Sequence, residues 1–122
     1  MSGERGSTSI QHIFLLPALF TLMFTFVQGA MYYQGKTIAI AAAEEGARVA
    51  AGEDGTIGDG EAAAVVYVGN TTLGLSDTSA VGSTTGDTVT MTVTTHTVSV
   101  IPGLDPRVVQ TASLPLEQLT AG

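Results

Sequence analysis

The sequence predicts an α+β protein. A long N-terminal helix, membrane-spanning and then amphipathic, is followed by a short second helix and a small three-stranded antiparallel sheet. Three observations carry this prediction. Residues 12–33 form an apolar run, and no Asp, Glu, Lys or Arg stands between Arg5 and Lys36. Residues 36–51 are dominated by alanine, the best helix former. Beyond residue 76, threonines alternate with Val89, Met91 and Val93, the two-residue period of a half-buried strand. The chain therefore divides into a cytoplasmic head or short leader at 1–9, the long helix at 10–51, an acidic loop and short helix at 52–75, and a β domain at 76–122.

The apolar run has the length, about 20 residues, that a helix needs to cross the hydrocarbon core of a bilayer. Thr21, Thr25 and Gln28 interrupt it, and hydroxyls in such a place can bond back to helix carbonyls. Tyr32 and Tyr33 close it, as amphipathic rings do at a membrane–water boundary. Burial of so long an apolar rod in a soluble core would need more apolar material than 122 residues supply. Pro17 is tolerated in a membrane helix, where a kink is the expected consequence. Arg5 and Lys36 put one basic residue on each flank, so charge alone orients the span weakly. The acidic, Gly-, Ser- and Thr-rich C-terminal part suits an exported surface and favours a cytoplasmic N-terminus.

The helical pattern continues past the span. Ala39, Ala43, Ala47 and Ala51 form an i, i+4 row of small side chains of the kind that admits another helix closely. Glu44 and Arg48 stand four apart, in the favourable order for an exposed ion pair. One helix from about residue 8 to residue 51 would be roughly 65 Å long. Gly52 is placed to end it as a C-cap. Residues 53–61 are acidic and glycine-rich. A calcium site from Glu53, Asp54, Asp59 and Glu61 does not match the alternate-oxygen spacing of an EF-hand, and a solvated loop is expected. Asp59 is placed to cap the second helix, through about Asn70, with Ala62, Val65, Val66 and Leu73 on one side; the Val-Val-Tyr-Val stretch within it also fits a strand.

Residues 87–100 read as the central strand, but Val98 and Val100 fall on the parity opposite to Val89, Met91 and Val93. A strand changes faces only through an extra residue, which predicts a bulge or bend near residues 94–97. Its partners are residues 77–82 and 108–114, joined through turn-rich segments at 83–87 and 102–106. Such a sheet needs cover, and the alanine-rich half of the long helix is the expected cover.

Charge and motifs exclude several functions. Four Lys+Arg against 11 Asp+Glu give a net charge of −7, which disfavours nucleic acid as a partner. There is no cysteine, and the only histidines are His12, at the membrane edge, and His96, expected in solvent among threonines. No nucleophile elbow, phosphate loop or dinucleotide fingerprint occurs. Glu44 and Glu45 are adjacent and point about 100° apart on a helix, which prevents a carboxylate pair. The expectation is a protein without catalytic residues, metal or cofactor.

The segment from Arg5 through Ser9-Ile10-Gln11, the apolar run with Pro17, and Glu45-Gly46-Ala47-Arg48 together resemble TadE-like pilins, relatives of type IV pilins. Val100-Ile101-Pro102-Gly103-Leu104 before a last strand is similar to actinobacterial members of that family. The resemblance covers residues 5 to 51 well and the sheet loosely. It implies a bacterial envelope protein, a structural subunit or minor pilin of the tight-adherence pilus. The implied partners are other pilin subunits, through the long helix, and membrane lipid. Prepilins carry a glycine at the cleavage point and a glutamate five residues into the mature chain. Gly6 and Ser7 are the candidate processing residues here, and Gln11 stands where the glutamate would be, offering only neutral hydrogen bonds. Helix packing is expected to rest on Pro17, Gly29, Ala39, Ala43, Gly46, Ala47 and Arg48. The alternative is a secreted binding module, released by signal peptidase at the small-x-small site Ala39-Ile40-Ala41.

Overall fold

A computed structural model describes residues 2–116, with side chains from Ile10 onward. Helix α1 spans Ser2–Ala51 and passes through Pro17 without interruption. Its 50 residues make it about 75 Å long. It begins at Ser2 rather than near residue 8: extending a formed helix fixes one residue per added hydrogen bond, and no proline precedes Pro17 to stop it. Helix α2 (Ile57–Gly69) follows, then strands β1 (Ser76–Thr85), β2 (Thr88–His96) and β3 (Arg107–Pro115). The three strands form one antiparallel sheet in the order β1-β2-β3. The expected fold class is the observed one.

The cap of α2 is Thr56, not Asp59. Thr56 has extended backbone and its hydroxyl accepts from the Asp59 N–H at 3.0 Å. Asp59 lies in the first turn, where its charge complements the helix dipole. The buried face of α2 also differs from the expected one. Gly60, Ala64 and Val68 are buried, whereas Val65, Val66 and Tyr67 are exposed. Apolar side-chain size suggested the wrong face, because α2 packs by backbone approach. A Cβ on Gly46 of α1 would stand 2.7 Å from the Gly60 carbonyl oxygen, and one on Gly60 would collide with the Gly46 carbonyl. Only glycine fits on either side of that crossing.

The predicted cover is present. Ala39, Ala42, Ala43, Ala47, Ala50 and Ala51 of α1 join Ala64 and Val68 of α2 over Val89, Met91 and Val93 of β2 and Val108 of β3. The largest fully buried side chains are only Met91, three valines and Thr95, so the core is thin and depends on close spacing. Glu61 adds a polar tie by accepting the Gly82 N–H of β1 at 2.8 Å. The opposite face of the sheet carries hydroxyl pairs, Thr90 with Ser113 at 3.1 Å and Thr92 with Thr111 at 3.0 Å.

Strand β2 itself is regular, and the expected bulge at 94–97 is absent from it. The extra residue is on β1, where Ser76 pairs with His96 but Ser79 with Thr94. Asp77 adopts φ 50° there. The arrangement serves the buried Thr95 hydroxyl, which meets Thr78 Oγ1 at 2.9 Å and donates to the Ser76 carbonyl at 3.2 Å. Val98 and Val100 change parity because β2 has ended by His96. The β1–β2 turn is Gly86-Asp87, with Gly86 at φ 59°. Helix α1 ends directly before Gly52, as expected, although Gly52 is not among the described residues with left-handed backbone.

Replacing Gly60 with Ala is expected to lower the stability of the sheet domain by about 1–3 kcal/mol, the usual cost of overpacking. A Cβ on Gly29 meets nothing within 4 Å, so Gly29→Ala should not lower stability and can raise it by up to about 1 kcal/mol. Thermal unfolding of the two variants in the same detergent separates them.

Candidate anchoring and packing site

Helix α1 has two surfaces of different character along its length. From Ile10 to Phe26 the large apolar side chains are all exposed, including Ile13 at 65%, Phe14 at 72% and Phe26 at 69%. Only 6% of its most apolar window is buried within the chain, which separates this segment from the core helix of a soluble protein. Among the described residues it is the one helix long and apolar enough to cross a membrane. Thr21 and Thr25 donate to the carbonyls of Pro17 and Thr21, at 2.8 and 2.7 Å, so the hydroxyls turn back onto the helix as expected. At the end of the run the Lys36 ammonium lies 5.9 Å from the centre of the Tyr32 ring, one turn away.

The residues expected to pack against other helices fall into two groups. Pro17 and Gly29 are on the exposed surface. Ala39, Ala43 and Ala47 are fully buried and Gly46 touches Gly60, so this row receives the chain's own sheet and α2. Arg48 is exposed and pairs with Glu45 at 2.7 Å, three residues away, instead of with Glu44. Gln11 is exposed. Gly6 and Ser7 lie within the helical backbone, and their side chains are outside the described residues.

Nothing in the apolar run signals the role of Gln28. This residue is 7% exposed, and its amide spans the backbone of the β2–β3 loop. Nε2 donates to the Val98 carbonyl at 3.1 Å, and Oε1 accepts from the Val100 N–H at 2.8 Å. Glutamine is suited to this because its amide offers a donor and an acceptor together. Gly35, two turns further along, makes room for the Thr97 methyl group, Leu75 and Val108. The loop therefore lies along α1, and Val100, Ile101 and Pro102 face Thr21, Phe24 and Thr25 across a shallow groove.

His96 is not solvated as expected. Its side chain is 20% exposed, with Nε2 4.0 Å from Asp105 and Nδ1 buried without a hydrogen-bond partner. Of the acidic segment, Asp59 and Glu61 belong to α2, and Glu61 is engaged by Gly82. Among the described residues no three His, Cys, Asp or Glu side chains are grouped as metal ligands would be.

These surfaces define a class: a helix with a bare apolar half and a covered alanine-rich half that carries a small sheet domain. The sequence model of the family described as TadE-like protein matches residues 6–48, a stretch that lies within α1. No curated protein and no solved structure matches the chain.

Gln28→Leu leaves the Val98 carbonyl and Val100 N–H without their partner, at an expected cost of about 1–3 kcal/mol. Hydrogen exchange at the Val100 amide should accelerate in that variant, while the Met91 amide of β2 keeps most of its protection.

Proposed function

We propose that this chain is a structural subunit or minor pilin of a bacterial tight-adherence pilus, without enzymatic activity. The observation that carries this reading is the division of α1 into an exposed apolar half and a half buried under its own sheet. Apolar surface of that extent in water is unfavourable, so residues 10–33 take lipid or the equivalent helices of other pilin subunits as their surroundings. The TadE-like match over residues 6–48 supports the pilus context. The N-terminus lies in the cytoplasm and the sheet domain outside the cell membrane. Contacts between subunits use the bare half of α1, where Pro17 and Gly29 are exposed; Ala39, Ala43, Gly46 and Ala47 act by holding the outer domain to the helix.

Release by signal peptidase near Ala41 is the less favoured reading, because it would remove Ala39 from the core and leave only the last turns of α1 over the sheet. Fractionation combined with intact mass measurement tests the choice. A membrane-bound product retaining the apolar helix is expected. A soluble product shorter by about 41 residues, or a monomeric full-length chain in detergent-free buffer, would overturn the anchor. Ala43→Leu, which inserts bulk at a fully buried site, should destabilise the outer domain by about 1–3 kcal/mol and lower the yield of pilus or of recovered complex.

A further inference from the structure

We infer that the β2–β3 loop is a second membrane-contacting element, whose apolar tip at residues 100–104 inserts into the hydrocarbon of the outer leaflet alongside α1. The inference rests on the membrane anchoring proposed above and adds to it a part of the outer domain.

Depth is the first argument. A span that begins at Ile10 and runs for about 20 residues ends near Gly29, with Tyr32, Tyr33 and Lys36 in the boundary region. The loop is fixed to Gln28 and its tip faces Thr21, Phe24 and Thr25. The part of α1 beside the loop thus lies wholly within the span. Thr21 is eight residues before Gly29, which puts the tip about 12 Å inside that boundary. Shifting the span toward the N-terminus would bring the tip into water, but it would draw Glu4 and Arg5 into the hydrocarbon, which is costly.

Chemistry is the second argument. Residues 97–104 contain no charged side chain, and Asp105 and Arg107 follow directly. Val98, Pro102 and Leu104 are exposed. Non-helical backbone enters a bilayer only where its polar groups are satisfied within the protein. Here the Val98 carbonyl and Val100 N–H bond to Gln28, and the Ile101 N–H bonds to Ser99 Oγ at 3.3 Å. The Ile101 carbonyl accepts from Ser99 Oγ at 2.7 Å and from the Leu104 N–H at 3.2 Å. Pro102 and Gly103, the latter at φ 81°, form the centre of that tight turn. The Thr97 N–H closes the base of the loop onto the Pro106 carbonyl at 3.1 Å. These bonds occupy the N–H groups of Thr97, Val100, Ile101 and Leu104 and the carbonyls of Val98 and Ile101, which lowers the cost of bringing the loop's apolar surface to lipid.

The absence of native cysteine makes the test direct. Single cysteines at Pro102→Cys, Phe14→Cys and Thr84→Cys are labelled with an environment-sensitive fluorophore. The full-length variants are then reconstituted in phosphatidylethanolamine–phosphatidylglycerol vesicles containing a lipid with an acyl-chain nitroxide. Thr84 is exposed near the opposite end of the sheet and reports water. The expected result is about twofold quenching of the Pro102 and Phe14 probes and none at Thr84, since only groups below the headgroups meet the nitroxide. An unquenched Pro102 probe beside a quenched Phe14 probe would overturn the loop insertion and leave the anchor standing. If the Phe14 probe is unquenched as well, both fall. Should Pro102→Cys fail to fold, Leu104→Cys takes its place with the same outcomes.

Discussion

The contact on which the sheet domain depends is the meeting of α1 and α2 at Gly46 and Gly60. With no side chain between them, the two helices come close enough for alanines on both to share one layer above Met91. The buried side chains are too small for hydrophobic area alone to hold so short a domain. Dispersion between closely spaced atoms compensates, and it declines steeply with any widening of the crossing. Helix α1 is continuous, so the helix that covers the domain is also the one that leaves it.

Much of this was legible in the sequence, because its strongest signals are local. The apolar run, the alanine-rich turns and the alternation of Val89, Met91 and Val93 each belong to one element, and each reads correctly. The joining of the elements was less legible. The face of α2 was misread because Val65 and Val66 look like core residues, while the actual contact is made by Gly60 and Ala64, which carry almost no hydrophobic signal. The bulge was foreseen at the right height in the sheet but on the wrong strand; it lies on β1, where the Thr95 hydroxyl reaches across to Ser76 and Thr78.

Gln28 shows the same limit for the candidate site. In an apolar run a glutamine reads as a tolerated interruption, and its partners stand 70 and 72 residues further along the chain. The small-residue row from Ala39 to Ala47 reads in the sequence as a face for another helix, but sequence does not distinguish a partner helix in another molecule from one in the same chain. The structure assigns the face to the chain's own sheet and α2, and this moves attention for assembly to the exposed half of α1.

The unbroken run of α1 from Ser2 to Ala51 has a mechanical consequence. No flexible tether lies between the oily stem and the folded head, so the head cannot swing independently of its stalk. Tilting the stem tilts the head by the same angle, and turning the stem about its long axis turns the hydroxyl-rich sheet surface with it. A load applied to the head passes lengthwise through the stalk's own hydrogen bonds, with the Gln28 brace steadying the place where the two meet.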